Sequence, residues 1–168
     1  MNTEKYLRAS ALILAAAFWI FPAFAPAEDG KMKGTATGVL ASGSIFVRLE
    51  DGRQIRLRLH GLHTPAPHDP CSLEARQFIR DMVIGKEVYF LWRGVDRYGL
   101  TEAFLWVGEE PNQKSLGLEL ILRGLAIYSE ERFRPFSNDT IGKYQKAEAQ
   151  AKLEKKCVWR NSNRPYEE

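Results

Sequence analysis

The sequence has little of what marks the more specialised protein classes. Its 168 residues include only two cysteines and three histidines, and its formal net charge is +3. This weak charge is not the strongly basic footprint of a dedicated nucleic-acid binder, so the composition neither demands nor excludes an anionic partner. The chain also has no internal repeat and no low-complexity tract, so nothing indicates a repeat architecture.

Long apolar sequence is confined to the amino terminus. Basic residues precede the apolar run 11–24, and a small-x-small cleavage signal (Ala-Pro-Ala) follows at 25–27. The run is shorter than the roughly 20 residues that a spanning helix needs, and Pro22 interrupts it. We therefore expect a cleaved signal peptide over 1–27 rather than an uncleaved membrane anchor, with no transmembrane span after cleavage. The protein is expected in a bacterial periplasm or outside the cell.

Beyond the signal peptide about 140 residues remain, which suits one domain with a hydrophobic core. A short polar lead-in is expected at 28–34. The segment 54–60 alternates apolar and polar residues and predicts a strand with Arg58 on its polar face. Asp51-Gly52 predicts the hairpin that precedes this strand. Further strands are predicted at 35–40, 44–50, 87–92, 103–107 and 126–128.

Apolar residues at helical spacing predict three helices. Ser72 is expected to cap the first helix, which ends before Gly85, and Gly124 is expected to close the second. The order of strands and helices predicts a small antiparallel barrel with helices around it. The helices are expected at 72–84, 115–123 and 141–156.

Five stretches of the chain resemble the thermonuclease (staphylococcal nuclease-like) family and follow that family's order. The segment 58–65 is similar to its active-site strand, written R-L-x-G-I-D-T-P-E, and 96–99 is similar to its D-x-Y-G-R loop. The resemblance covers most of 35–160. It implies an α+β fold, a five-stranded oligonucleotide/oligosaccharide-binding barrel with three α-helices, and leaves 161–168 as a C-terminal tail. The five stretches are 58–65, 74–82, 96–99, 122–126 and 148–159.

Both cysteines, Cys71 and Cys157, lie in the part that is expected to be exported. Exported proteins meet an oxidising compartment, where two thiols often pair, and two buried free thiols are the alternative. In the fold that the resemblance implies, the start of the first helix and the end of the third lie close together. Since the cysteines stand at those two ends, the resemblance favours a disulfide.

The resemblance also identifies acidic groups that this chain lacks. The family's first calcium-binding aspartate belongs to a D-G-D-T turn, where this chain has Ser-Gly-Ser-Ile at 42–45. His63 stands at the second calcium aspartate, Ala66 at the glutamate that acts on the attacking water, and Leu100 at the second arginine. We therefore expect no calcium site and no calcium-dependent nuclease activity.

A few residues of the implied site remain. Arg58 matches the arginine that contacts phosphate, and Thr64 is retained, so both are candidate catalytic remnants together with His63. A structural alternative exists for the charged residues. Arg58 can cap a strand through a carboxylate, and Asp96 can hold its loop by accepting backbone N–H groups.

Candidate nucleic-acid contacts are Arg58, Tyr98 and Arg132. Tyr98 matches a tyrosine beside the family's nucleotide site, and Arg132 opens a run of arginine and phenylalanine at 132–136. Such a run can bind a single strand by charge and stacking. It can equally be an exposed connector whose phenylalanines pack underneath.

All three histidines fall close together, at His60, His63 and His68, and Asp69 adds a carboxylate. Imidazole suits zinc rather than calcium, so these four residues form a candidate zinc site. Three solvated loop histidines are the competing interpretation, and no cofactor is otherwise expected.

These observations lead to one principal hypothesis and two alternatives. The principal one is an exported thermonuclease-like domain that has lost the calcium-dependent residues and serves as a binding or scaffold module. Its partner is a protein, a glycan or single-stranded nucleic acid. One alternative is an active nuclease or phosphodiesterase with a remodelled, histidine-based metal site. The other is a disulfide-stapled structural protein of the envelope.

Overall fold

A computed structural model describes residues 31–96, 99–129 and 138–160. The expected signal peptide at 1–27, the tail at 161–168, Tyr98 and Arg132 lie outside these residues. Within the described ranges, no helix has the length and hydropathy needed to cross a bilayer. The elements are β1 (Met32–Val39), β2 (Ile45–Leu49), β3 (Gln54–Leu59), β4 (Leu62–His63), α1 (Ser72–Val83), β5 (Glu87–Val95), β6 (Thr101–Val107), β7 (Lys114–Ser115), α2 (Leu116–Leu122), β8 (Ile127–Tyr128), α3 (Asn138–Leu153) and a 3-10 helix (Cys157–Trp159).

Five strands form a closed barrel. Antiparallel pairing runs in the order β3-β2-β1-β5-β6, and a parallel pairing between β3 and β6 closes the circle. Three α-helices pack around it, which confirms the predicted α+β class and the five-stranded barrel with three helices. β7 extends β6 at the edge, and β4 pairs with β8 in a separate two-stranded sheet.

The β2–β3 hairpin follows directly from local sequence. Gly52 takes a positive φ of 84°, which glycine adopts without steric penalty. Its backbone N–H donates to the carbonyl of Leu49 at 3.0 Å, and the Leu49 N–H donates to Arg53 at 2.8 Å. Alternation in the two strands then places Val47 and Leu57 inside the barrel. The predicted hairpin is confirmed.

The hydrophobic core lies inside the barrel and beneath the helices. Fully buried side chains include Phe90 of β5, Ile79 of α1 and Leu120 of α2. Burying one such side chain contributes roughly 1.5–3 kcal/mol. Tyr144 of α3 is also buried, and burial raises the pKa of its phenol although the hydrogen bond between Ser115 and Tyr144 opposes the shift.

Several predicted boundaries differ from the structure: β5 extends to Val95 rather than residue 92, β6 begins at Thr101 rather than 103, and α3 spans Asn138–Leu153 rather than 141–156. β1 begins at Met32 rather than at Thr35, because Met32 and Gly34 pair with Phe90 and Val88 of β5. The polar lead-in expected at 28–34 therefore ends before Met32. Backbone pairing with β5 makes the following residues a strand although their local sequence is polar.

Ser72 does not cap α1, although the sequence predicts that it does. The cap position is Cys71, which makes no side-chain cap hydrogen bond, and Ser72 is the first helical residue. The Ser72 hydroxyl instead donates to the carbonyl of Pro67 at 3.3 Å, while Asp69 Oδ1 accepts from the Cys71 N–H at 2.8 Å. The proline loop before α1 is thus tied to the first turn of the helix.

Cys71 and Cys157 form a disulfide, as predicted. Their Cα atoms are 5.8 Å apart and 86 residues separate them in the sequence. The bond joins the start of α1 to the 3-10 helix that follows α3. It thereby fixes the last described segment to the helix that follows the proline loop.

Gly124 forms a second tie between the same segment and the rest of the fold. It follows α2 with a φ of +63°, and its carbonyl accepts from the Val158 N–H at 3.1 Å. A Cβ atom here would lie 2.5 Å from the Lys156 carbonyl oxygen. Glycine is therefore required both by the backbone conformation and by the close approach of the chain.

Reducing the disulfide should lower the free energy of unfolding by about 2–4 kcal/mol, because a cross-link over a long loop restricts the unfolded chain. Urea unfolding of the chain with and without a thiol reductant measures this difference. The double variant Cys71→Ala/Cys157→Ala is the control and should not respond to the reductant. Equal urea midpoints for oxidised and reduced chain would contradict the expectation.

Gly124→Ala should destabilise the domain more than Gly85→Ala. Both glycines have a positive φ, where alanine costs roughly 1–2 kcal/mol, but a Cβ at Gly85 meets nothing within 4 Å. The close approach to Lys156 should add about 1–3 kcal/mol at Gly124 alone. Urea unfolding of the two matched variants tests this, and equal losses of stability would show that the close approach to Lys156 is unimportant.

Candidate functional site

A cleft of about 260 Å³ opens at the end of β3. Three segments form it: the turn between β1 and β2, the polar face of β3, and the loop after β4. Leu100, at the end of the β5–β6 connection, completes the rim. The residues lining the cleft are Ser42, Ser44, Arg56, Arg58, His63, Thr64, Pro65, Ala66, Pro67 and Leu100. The cleft thus brings together the three candidate remnants Arg58, His63 and Thr64.

The side chain of Thr64 links the two loops of the cleft. The Thr64 hydroxyl donates to the carbonyl of Ser42 at 3.4 Å. A Cβ atom on Gly43 would lie 3.3 Å from that hydroxyl oxygen, so the turn approaches Thr64 closely because it carries glycine. On the other side, His63 pairs with Ile127 of β8. Strand pairing therefore fixes the backbone of His63 at the cleft.

Arg58 and Asp96 form an ion pair at the edge of the cleft. Arg58 Nη1 lies 3.4 Å from Asp96 Oδ2, and the side chains are 33% and 9% exposed. The other carboxylate oxygen of Asp96 accepts from the Leu100 N–H at 2.9 Å. Asp96 therefore has the structural role that the sequence allowed: it holds its loop and contacts the guanidinium of Arg58.

Arg56 is a cleft residue that sequence reasoning missed. It stands two residues before Arg58 on β3, so both side chains lie on the same face of the strand. Its Nη2 atom lies 3.5 Å from Ser44 Oγ, at the outer limit of a hydrogen bond, and its Nε atom is buried without a hydrogen-bond partner. The sequence did contain a signal for it: β3 alternates apolar and polar residues, and arginine occupies two successive polar positions.

Hydroxyl groups lie beside Arg56 in the cleft. Ser44 is only 3% exposed, and its Oγ lies 3.1 Å from Ser42 Oγ. Ala66 and Leu100 add no polar side chain. Among the described residues that line the cleft there is no carboxylate, while two guanidinium groups and one imidazole are present.

This donor set does not fit calcium. Calcium takes about six to eight oxygen ligands and usually needs carboxylates among them. Here the oxygen donors of the lining side chains are the hydroxyls of Ser42, Ser44 and Thr64. A guanidinium beside Ser44 would also repel a divalent cation. The cleft is therefore chemically suited to an anion.

The four candidate zinc ligands do not come together. His60 is buried and directed at β6, where Nδ1 lies 3.0 Å from Glu102 Oε2 and the ring packs edge-on against Phe104. His68 is exposed in the proline loop, and Asp69 caps the Cys71 N–H. No three His, Cys, Asp or Glu side chains of the described ranges form a group that could hold a metal ion.

The barrel, its three helices and this cleft define a nuclease-like OB-fold domain. The model of the family described as staphylococcal nuclease homologue matches residues 56–161. The chain therefore belongs to the family of staphylococcal nuclease homologues. The matched range includes Arg56, Arg58 and the whole of the loop that carries His63 and Ala66.

Two curated relatives are each about a third identical to this chain over the matched region. The protein named Probable endonuclease LCL3 of Pyricularia oryzae is 32% identical over 114 residues, covering 64% of this chain and 44% of the relative. Ribonuclease TUDOR 1 of Arabidopsis thaliana is 30% identical over 93 residues, covering 55% of this chain and 9% of the relative. The chain spans less than half the length of both relatives.

Asp96→Ala should destabilise the domain by about 1–3 kcal/mol, because it leaves the Leu100 N–H and the Arg58 guanidinium without this acceptor. Asp96→Asn should cost less, since an amide oxygen can still accept from Leu100. Urea unfolding of both variants and hydrogen exchange at the Leu100 amide provide the measurements. Faster exchange in the asparagine variant than in the alanine variant would contradict this assignment.

Proposed function

We propose that this chain is an exported domain that binds single-stranded nucleic acid in the cleft and does not perform calcium-dependent cleavage. The observation that carries the proposal is the charge of the cleft. Two arginines of β3 line it, and its described lining contains no carboxylate. Positive side chains in a groove attract the phosphate backbone of a single strand without regard to base sequence.

Nucleic acid is favoured over other anions by the family and the fold. Five-stranded OB barrels commonly bind oligonucleotides on the face and loops next to strands 2 and 3. The cleft lies at the end of β3 and next to the turn that precedes β2. The matched relatives carry the names of an endonuclease and a ribonuclease, both of which are nucleic-acid enzymes by name.

Cleavage is disfavoured by the residues at the two positions where the family resemblance implies a general base and a second arginine. Ala66 presents a methyl group, which can neither accept a proton nor hold a water molecule. Loss of a general base alone typically lowers the rate by about 10²–10⁴-fold. Leu100 offers no charge to a developing phosphate, which removes a further factor of about 10²–10³. Binding can survive these changes because Arg58 still lines the cleft.

Export is supported by the disulfide and by the leader-like sequence. A disulfide between Cys71 and Cys157 suits an oxidising compartment such as a bacterial periplasm or the extracellular medium. Residues 1–27 have the apolar run and the cleavage signal of a secretory leader. Both observations favour the same location for the domain.

A second candidate function is hydrolysis by a remodelled site. The observation that favours it is the position of His63, which lines the same cleft as Arg58 and Thr64. A neutral imidazole can act as a general base toward water while the arginine holds phosphate. On this hypothesis, His63 would act without the other histidines, because His60 faces β6 and His68 lies in the exposed loop.

The purified chain, with its disulfide formed, should bind but not cut a labelled single-stranded DNA or RNA. Calcium, magnesium, manganese and zinc should each leave the strand intact on a denaturing gel, because the cleft lacks a carboxylate base. The Arg58→Gln variant should bind more weakly. Calcium-stimulated cutting would overturn the proposal.

His63→Ala and Arg58→Gln separate the second candidate from a contaminating enzyme. Cutting that disappears in both variants would establish the hydrolase with His63 as base. Cutting that persists in both would come from another protein, and the binding measurement with Arg58→Gln then decides the proposed function.

A further inference from the structure

We propose that Arg56 makes the cleft a metal-independent oxyanion site, in which a phosphodiester group of the strand is bound by Arg56, Arg58 and the Ser44 hydroxyl. This inference rests on the proposed function and goes further in two respects. It identifies the chemical group that is bound, and it assigns the positive charge to a protein side chain rather than to a divalent cation.

The geometry of β3 places the two guanidinium groups on one wall of the cleft. Residues i and i+2 of a strand share a face, and a rise of about 3.3 Å per residue separates their backbones by roughly 7 Å. Arg56 and Arg58 both line the cleft, and the core residue Leu57 between them points into the barrel. Long side chains with this spacing can converge on one phosphate group.

Arg56 has hydrogen-bonding capacity that the protein does not use. Its Nε–H is buried with no acceptor, and the one hydrogen bond of its side chain, among the residues that the structure describes, is from Nη2 to Ser44 Oγ at 3.5 Å. No described carboxylate forms an ion pair with it, in contrast to Arg58, which is paired with Asp96. The other donors of the guanidinium therefore have no acceptor among the described residues, and an oxyanion in the cleft can supply one.

The hydroxyl groups beside Arg56 suit an oxyanion as well. Ser44 and Ser42 present neutral hydroxyls 3.1 Å apart, so one can accept from the other and leave a donor for a phosphate oxygen. Carboxylates at these positions would neutralise Arg56 or repel the phosphate. Guanidinium groups bind phosphate through paired, charge-assisted hydrogen bonds, for which no metal ion is needed.

Fluorescence anisotropy of a labelled single-stranded oligodeoxythymidylate of about 12 nucleotides tests the inference, because one OB fold covers roughly 4–16 nucleotides. Binding by the full chain should be the same in EDTA and in calcium. Arg56→Gln should raise the Kd about 10- to 100-fold, the effect of losing one charged hydrogen-bonding group. It should also reduce the slope of log affinity against log salt by about 0.7 for each phosphate that the variant no longer neutralises.

Arg80→Gln is the matched control, because it makes the same charge change at an exposed residue of α1 that is not among the residues lining the cleft. Its Kd should stay within about twofold of the unmodified chain, since a single exposed charge contributes little. Arg56→Lys should retain part of the affinity because it keeps the charge but loses the forked geometry. Circular dichroism and urea unfolding establish that each variant is folded.

Several outcomes would overturn either the inference or the proposed function on which it rests. If Arg56→Gln binds normally while Arg58→Gln binds weakly, the proposed function survives and the role of Arg56 fails. Binding that requires calcium would refute the metal-independent site. Tighter, Arg56-dependent binding of heparin than of the oligonucleotide would assign the site to sulfated glycans instead. Cleavage of the oligonucleotide would refute the non-catalytic function. The affinity measurements alone would then decide the role of Arg56.

Discussion

The parallel pairing of β3 with β6 is the interaction on which the rest of the structure depends. It closes the barrel by aligning Leu57 with Thr101 and Leu59 with Ala103. The same pairing places the charged face of β3 beside the segment that enters β6, so that Arg58 reaches Asp96 and His60 reaches Glu102. Closure therefore determines both the core and the polar end of β3, from which the cleft opens.

The positive charge of the cleft arises because barrel closure pairs the neighbouring carboxylates with other groups. Asp96 is committed to Arg58 and to the Leu100 N–H, and Glu102 is committed to His60. Neither carboxylate is among the residues that line the cleft. Arg56, one alternation earlier on β3, lies next to serine hydroxyls instead of an acid. A barrel with this arrangement can consequently bind an anion at the place where acidic side chains would have bound a cation.

Local sequence determines the elements of this fold better than it determines the site. The Asp51-Gly52 turn and the alternation around Arg58 predict β2 and β3 because both signals act over a few residues. The start of β1 is misplaced because its first residues are strand only through pairing with β5. The sequence groups His60 with the other histidines because its partner Glu102 lies 42 residues away and is reached only after the barrel closes. Arg56 escapes prediction because it matches no motif position and shares only a strand face with Arg58.

Several bonds hold the loop between β4 and α1 in place. Asp69 caps the Cys71 N–H, the Ser72 hydroxyl bonds to Pro67, and the disulfide anchors Cys71 to the segment after α3. A loop without a role could be allowed to move, whereas a binding site gains affinity when its walls are fixed before the ligand arrives. A loop fixed by these bonds and an arginine donor without a protein acceptor both favour the proposed binding over the alternative of cleavage. Cleavage would require, in addition, a base placed at the attacking water, and Ala66 does not provide one.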